Sequence, residues 1–304
     1  MTVPHCSVHH PAINRAAAVV RNAVADAGVA PYVEGAHAGL ARYLQVVVER
    51  ASQRVQVVLV GNCPDPGPLG ACLDLVRDRL GPVLHSLWFN ANVARTNAIL
   101  GPKFFLWCGP PSVIERFCGT AIHYPPGAFG QNNLEIAGRI VDHVRGLVPA
   151  GSIVAEFYAG VGAIGLSLID RVARLRLNEV APASLHGLAL GLDGLSPTDR
   201  AKVEVLPGPA GVETRALEGA DVAIVDPPRK GLDPLLLQAL CARGPRRLVY
   251  VSCRLDTFLR DAAQLTAEGG YAVSELRAYD LLPYTDHVET VACFERRPDS
   301  PTVG

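Results

Sequence analysis

A chain of 304 residues, 49% of them hydrophobic, is long enough for one large or two ordinary domains with a real core. Its formal net charge of -1 excludes a global basic field that would draw the whole molecule to nucleic acid or membrane, and no stretch approaches a membrane span. Three lysines stand among 28 basic residues, so positive charge is carried by arginine. The arginine fork suits phosphate, although abundant arginine and alanine also follow from genome composition.

The opening HCSVHHPAINR lacks the basic start and apolar run of a secretion signal, and eight scattered cysteines contain no C-x-x-C pair. Both features fit a reducing, cytoplasmic setting. His5, Cys6, His9 and His10 are metal-ligand types, but no second half-site with matching spacing follows, so no metal is expected.

From about residue 38 the β-like runs LQVVVER, VQVVLVGN, HSLWFNANV and KFFLWCG surround a helix expected over 69–80. They predict a small α+β domain within residues 1–124. After the loop YPPGAFGQNN, Leu134, Ile136, Ile140, Val141, Val144 and Leu147 recur near helical spacing, so residues 125–149 form a linking loop and helix.

From residue 150 to 297 the texture changes to apolar strands alternating with helix-length segments: SIVAEFY, RLRLNEV, KVEVLPG, ADVAIVDPP and RRLVYVSC. Near-continuous apolar strands in this rhythm predict an α/β, doubly wound parallel sheet covered on both faces. The last two strands, GGYAVSELRAY and HVETVACFER, are joined too closely for a crossover helix and must be antiparallel. Residues 298–304 are a tail.

Ligands of such sheets bind outside the carboxyl ends of the strands. Gly160, Gly162 and Gly165 spell G-x-G-x-x-G between a strand and an expected helix, a turn shared by nicotinamide dehydrogenases and adenosylmethionine enzymes. Glu156, four residues ahead, suits the second class better. Glu179, about 20 residues after the glycines, can accept hydrogen bonds from ribose hydroxyls. The two prolines of VDPPRKGLDP make a rigid turn that presents Asp226 and Arg229 to the crevice, with no aromatic of the kind that stacks on an amino-bearing base. In LVYVSCRLDTFLRD, Cys253 taken alone is a core residue, because free thiols pack as small hydrophobes. Glu289, entering an apolar strand, needs a reason to be there: an ion pair, or a base working with the thiol.

EFYAGVGAIGLSL, DPPRKGLDP, VYVSCRLDTFLRD and DHVETVACFER, in that order, resemble the RNA uracil-5-methyltransferases, and AFGQNN and NVARTNAILG resemble that family's loop and central domain. The resemblance covers roughly residues 40 to 296. It implies a class I methyltransferase domain preceded by the small α+β domain, and an S-adenosyl-L-methionine-dependent enzyme that makes 5-methyluridine in tRNA or rRNA through a cysteine adduct at uracil carbon 6. By the same resemblance Cys253 is the nucleophile and Glu289 the base. Gln131, Glu156, Tyr158, Gly160, Gly162, Glu179 and Asp226 hold the cofactor, while Phe129, Asp226, Arg229 and Arg254 face the RNA.

A free thiol is only about 3% ionised at neutral pH, so the site should depress its pKa, with Arg229 or Arg254 as the candidate cause. Arg254 stands where the family has asparagine, Gly130 where its loop has a second phenylalanine, and the asparagines usual after Glu179 are missing. The chain reads as a short, monomeric form without the family's N-terminal barrel or iron–sulfur cysteines. The alternatives are a catalytically inactive RNA-binding homologue and, from the glycines alone, a dehydrogenase.

Overall fold

A computed structural model describes Cys6 and residues 8–297; His5 and the tail at 298–304 lie outside the described residues. Two compact units emerge, Met1–Glu115 with Tyr124–Gly127, and Arg116–His123 with Ala128–Gly304.

The first unit contains α1 (Pro11–Asp26), β1 (Ala41–Val48), β2 (Val55–Gly61), α2 (Gly70–Leu80), β3 (Leu84–Ala91) and β4 (Lys103–Cys108). Its sheet has the order β1-β2-β3-β4. The β2 and β3 strands are parallel, which requires the crossover that α2 supplies, and the outer pairs are antiparallel. Val57, Leu59, Leu87 and Phe89 pack against Leu73 and Val76 of α2 and against Ala12, Ala16, Val20 and Ala23 of α1. The α1 helix is an element the sequence reading did not include. His10 caps its start by accepting from the Ala12 amide at 3.2 Å, which gives one member of the terminal histidine cluster a backbone role. Among the described residues no group of three or more potential ligands could hold a metal ion.

Two short strands, β5 (Val113–Phe117) and β6 (Thr120–Tyr124), pair around Cys118 and Gly119, both in the left-handed region. The expected linking helix follows as α3 (Leu134–Leu147), with the Asn133 side chain accepting from the Ile136 amide at 3.2 Å.

The second unit then alternates β7 (Ile153–Phe157), β8 (Arg174–Glu179), α4 (Pro182–Asp193), α5 (Pro197–Arg200), β9 (Val203–Pro207), β10 (Val222–Val225), α6 (Pro234–Arg243), β11 (Arg247–Ser252), α7 (Leu255–Ala267), β12 (Tyr271–Tyr279) and β13 (Glu289–Arg296). Its seven strands lie in the order β12-β13-β11-β10-β7-β8-β9. Only β13 runs against its neighbours, as the short connection from β12 dictates. The winding direction changes between β7 and β10, and this is the switch point where α/β sheets open a crevice.

One face of this sheet packs Ala155, Phe157, Ala223, Val225, Leu248, Tyr250, Ala292 and Phe294 against Leu236 and Leu240 of α6 and Phe258 and Leu265 of α7. Each such fully buried aliphatic or aromatic side chain contributes roughly 1.5–3 kcal/mol. Among the described residues no helix is long and apolar enough to cross a membrane.

Candidate active site

Strand alternation decides which side chains meet. Phe157, Val225, Tyr250 and Ala292 face α6 and α7, so their neighbours Glu156, Asp226, Val251 and Val291 face the other way. Continuing one step past β11 and one step back along β13 puts Cys253 and Glu289 on that same face. The ladder aligns them at one end, because Glu156 pairs with Ile224, and Ser252 with Thr290. Glu156, Asp226, Cys253 and Glu289, far apart in sequence, thus share one corner of the crevice. A groove of about 540 Å³ lined by Lys230, Leu232, Asp233, Leu237 and Arg260 belongs to the α6 and α7 side and is a separate feature.

The acids of this corner are buried without full compensation. Glu156 is 1% exposed and Glu289 is 3% exposed. Glu156 Oε2 and Glu289 Oε1 have no hydrogen-bond partner. Burial pushes the Glu289 carboxyl up to about 7. Burial and then the neighbouring Glu289 raise Asp226 to about 8. Glu156 is raised well above the usual carboxylate range by burial and by Asp226. A carboxyl near 7 is suited to accepting a proton at physiological pH.

The thiol does not behave as the sequence reading expects. Cys253 is raised, not depressed: burial acts first, Glu289 and Asp226 add to it, and Arg229 pulls the other way without prevailing. Two carboxyl groups at close quarters outweigh one exposed guanidinium in water. The Arg254 guanidinium lies 3.6 Å from Asp256.

The glycine loop is tight but is not followed by the expected helix. Gly160 and Gly162 take positive φ values of 58° and 85°, and after Gly165 the chain makes only a 3-10 turn, Leu166–Leu168. A β-carbon at Gly165 would collide with Glu156 Oε2 and Leu177, whereas one at Gly160 would meet nothing within 4 Å. So Gly165 is needed for packing, and Gly160 leaves its open side to a ligand. Glu179 accepts from the Gly160, Val180 and Ala181 amides, each at 2.7 Å. Three of roughly four acceptor positions on that carboxylate are therefore taken, leaving about one for a ribose hydroxyl.

Tyr158 holds a left-handed backbone at φ 61°, and its hydroxyl accepts from the Asp233 amide at 2.9 Å. A non-glycine residue costs about 1–2 kcal/mol there, and this anchor ties β7 to the turn after Asp226. Asp261, fully buried, accepts from the Leu232 amide and from the Tyr250 hydroxyl, both at 2.8 Å, and so braces the same turn from below. Sequence reasoning missed Asp261; its signal is an acid inside the buried stripe Phe258–Asp261–Leu265 of α7. Phe129, 71% exposed, and Gln131, half-buried, sit on the loop that leads into α3.

Comparisons with known proteins give the family and the fold. Residues 213–297 match the family model described as tRNA (Uracil-5-)-methyltransferase. An uncharacterized RNA methyltransferase of Protochlamydia amoebophila is 35% identical over 302 residues, covering 97% of this chain and 79% of the relative. The chain belongs to the RNA uracil-5-methyltransferase family. A Lactobacillus johnsonii relative, also an uncharacterized RNA methyltransferase, is 32% identical, and this chain spans 64% of its length. Among solved structures, the Pyrococcus abyssi tRNA (uracil-54, C5)-methyltransferase in complex with S-adenosyl-L-homocysteine superimposes with a TM-score of 0.79 at 25% identity, covering 97% of this chain and 70% of that one. Family membership also accounts for the doubly wound sheet with one reversed strand.

Proposed function

We propose that the protein is an S-adenosylmethionine-dependent RNA methyltransferase that forms 5-methyluridine in tRNA or rRNA, acting as a monomer in the cytoplasm. The observation that carries this reading is a thiol and an acid with one unpartnered oxygen brought to one corner, Cys253 beside Glu289, by two adjacent antiparallel strands.

Carbon 5 of uracil is a weak nucleophile. The Cys253 thiolate adds to carbon 6, and the π electrons move onto the carbon 4 carbonyl as an enolate, which makes carbon 5 nucleophilic. S-adenosylmethionine, when bound, supplies an electrophilic methyl on a sulfonium. Once carbon 5 carries that methyl, Glu289 takes the proton from carbon 5, the carbon 5–carbon 6 double bond reforms, and the carbon 6–sulfur bond breaks to release the thiolate. Gly160 lets the backbone approach the cofactor, Gly162 makes the turn of the cofactor loop close against Leu166 and Leu188, Glu179 takes a ribose hydroxyl, and Gln131, Glu156 and Tyr158 complete that side. Asp226 lies between cofactor and uracil edge, while Phe129, Arg229 and Arg254 meet the RNA.

The raised acids and thiol fit this chemistry. A cationic sulfonium beside three acids favours their ionised forms, so the empty corner keeps its protons and the loaded one gives them up. The test is methyl transfer from labelled cofactor to undermethylated RNA by wild type and by Cys253→Ala. Loss of transfer with retained cofactor binding is expected; undiminished transfer by the variant refutes the nucleophile. RNA binding without transfer by the wild type would instead support an RNA-binding homologue.

A further inference from the structure

The sheet face that carries Cys253 and Glu289 holds a second polar chain that the chemistry above does not use. His143, on α3, has a side chain only 8% exposed. Its Nδ1 lies 2.8 Å from the Tyr279 hydroxyl and its Nε2 lies 2.7 Å from Glu275 Oε1. With the proton on Nε2, Tyr279 donates to the ring and the ring donates to Glu275, so both nitrogens are satisfied. Arg277 donates to the same Glu275 oxygen at 3.2 Å.

Its location gives the chain meaning. Glu275, Arg277 and Tyr279 alternate on one face of β12, opposite Cys293, Val291 and Glu289 of β13. Tyr279 is thus the residue directly across from Glu289, and such pairs keep their β-carbons about 4.5–5.5 Å apart on the same face. The β12 strand is the outermost of the sheet, bonded on one side only. Its end, followed by the irregular residues 280–288, is where a sheet opens most readily. Glu289 opens its own strand: the β11 ladder stops one residue short of it, at Ser252 and Thr290, whereas Tyr279 of β12 pairs with it directly.

We propose that Tyr279 and His143 are positioning residues for Glu289: the Tyr279–His143–Glu275 chain buckles the end of β12 to α3 and thereby holds the base toward Cys253. This rests on the reading of Glu289 as the base. Tyr279→Phe removes the donor, His143→Gln removes the bridge, and Glu275→Gln keeps an acceptor oxygen at the far end.

The three variants and the wild type are compared on RNA tritiated at uridine carbon 5 and on RNA carrying 5-fluorouridine. Tritium release reports proton removal. The fluorinated RNA reports thiolate addition and methyl transfer as a trapped adduct, because fluorine does not leave as a cation. Tyr279→Phe and His143→Gln are expected to lower kcat for tritium release about ten- to hundredfold with KM unchanged and adduct formation at the wild-type rate. Glu275→Gln should stay near wild type. Wild-type tritium release in both, even with a lowered melting temperature, overturns the proposal, since the chain then only fastens a helix. Equal slowing of both readouts also overturns it, because the defect then precedes the base. A wild type that forms no adduct removes the Cys253 adduct on which the role of Glu289 as base depends, and the proposal falls with it.

Discussion

The two halves of the seven-stranded sheet use acids in opposite ways. In the half built from β7, β8 and β9, Glu179 is consumed by the backbone, its carboxylate closed around three amides. In the half built from β10, β11 and β13, the partly buried Asp226 and the buried Glu289 have their affinity for protons raised, and one Glu289 oxygen has no partner. Glu156, at the end of β7 on the border, is buried with an unmet oxygen of its own. A satisfied acid shapes a loop. An unsatisfied one costs stability until something arrives to use it, which marks it as a working group.

Glu289→Gln should break the contrast most severely, lowering methyl-transfer turnover by about 10²–10⁴-fold. It should also leave a protein–RNA adduct visible on denaturing gels, since proton removal precedes thiolate release. Full turnover would mean that this acid is as structural as Glu179.

Glu179→Ala tests the other half. Three amides lose their acceptor at about 1–3 kcal/mol for each left buried, so cofactor affinity measured by calorimetry should fall at least about tenfold and the melting temperature should drop. Gly165→Ala sharpens the border case. The new methyl must displace Glu156 or Leu177, and about 1–3 kcal/mol of stability should be lost in denaturant titration.

The mildest effect is on pH. Carboxyls raised from 4.5 to about 7 at Glu289, and from 3.8 to about 8 at Asp226, bind protons more tightly folded than unfolded. Their contribution to stability is full below the unfolded values and is lost as pH rises through 7 and 8. The cofactor-free protein should therefore melt at lower temperature at pH 8.5 than at pH 6, by the equivalent of about 1–3 kcal/mol, and Glu289→Gln should flatten that slope. The value of kcat/KM should move the other way, rising through about pH 7 as Glu289 of the free enzyme ionises.

Much of this contrast was legible in the sequence. Five of the seven strands of the second sheet stand out as β-rich, largely apolar runs, as strands covered on both faces do, whereas the edge strand β12 is mostly exposed. The reversed last strand followed from a connection too short for a helix. Glu289 comes forward because an acid is out of place at the mouth of an apolar strand, whereas Cys253 alone reads as core and comes forward only through the resemblance of VYVSCRLDTFLRD to the family. The α1 helix was missed because its buried stripe is mostly alanine, Ala12, Ala16 and Ala23 with Val20, a weak hydrophobic signal. The pair β5 and β6 consists of two five-residue strands, too short for alternation to stand out. The direction of the thiol shift was invisible, since sequence shows which charges exist but not their distances or burial. The link from His143 to Tyr279 spans 136 residues and no local pattern encodes it.

The reversed strand β13 also determines what this fold can change freely. A parallel strand delivers its last residue to the crevice, and whatever follows must lead on into a helix that covers the sheet. An antiparallel strand delivers its first residue, so Glu289 is fixed by the ladder that follows it, while residues 280–288 in front bear none of that register. That approach segment can lengthen, shorten or change composition while Glu289 stays in place, so variation in front of the strand leaves the ladder behind it unchanged.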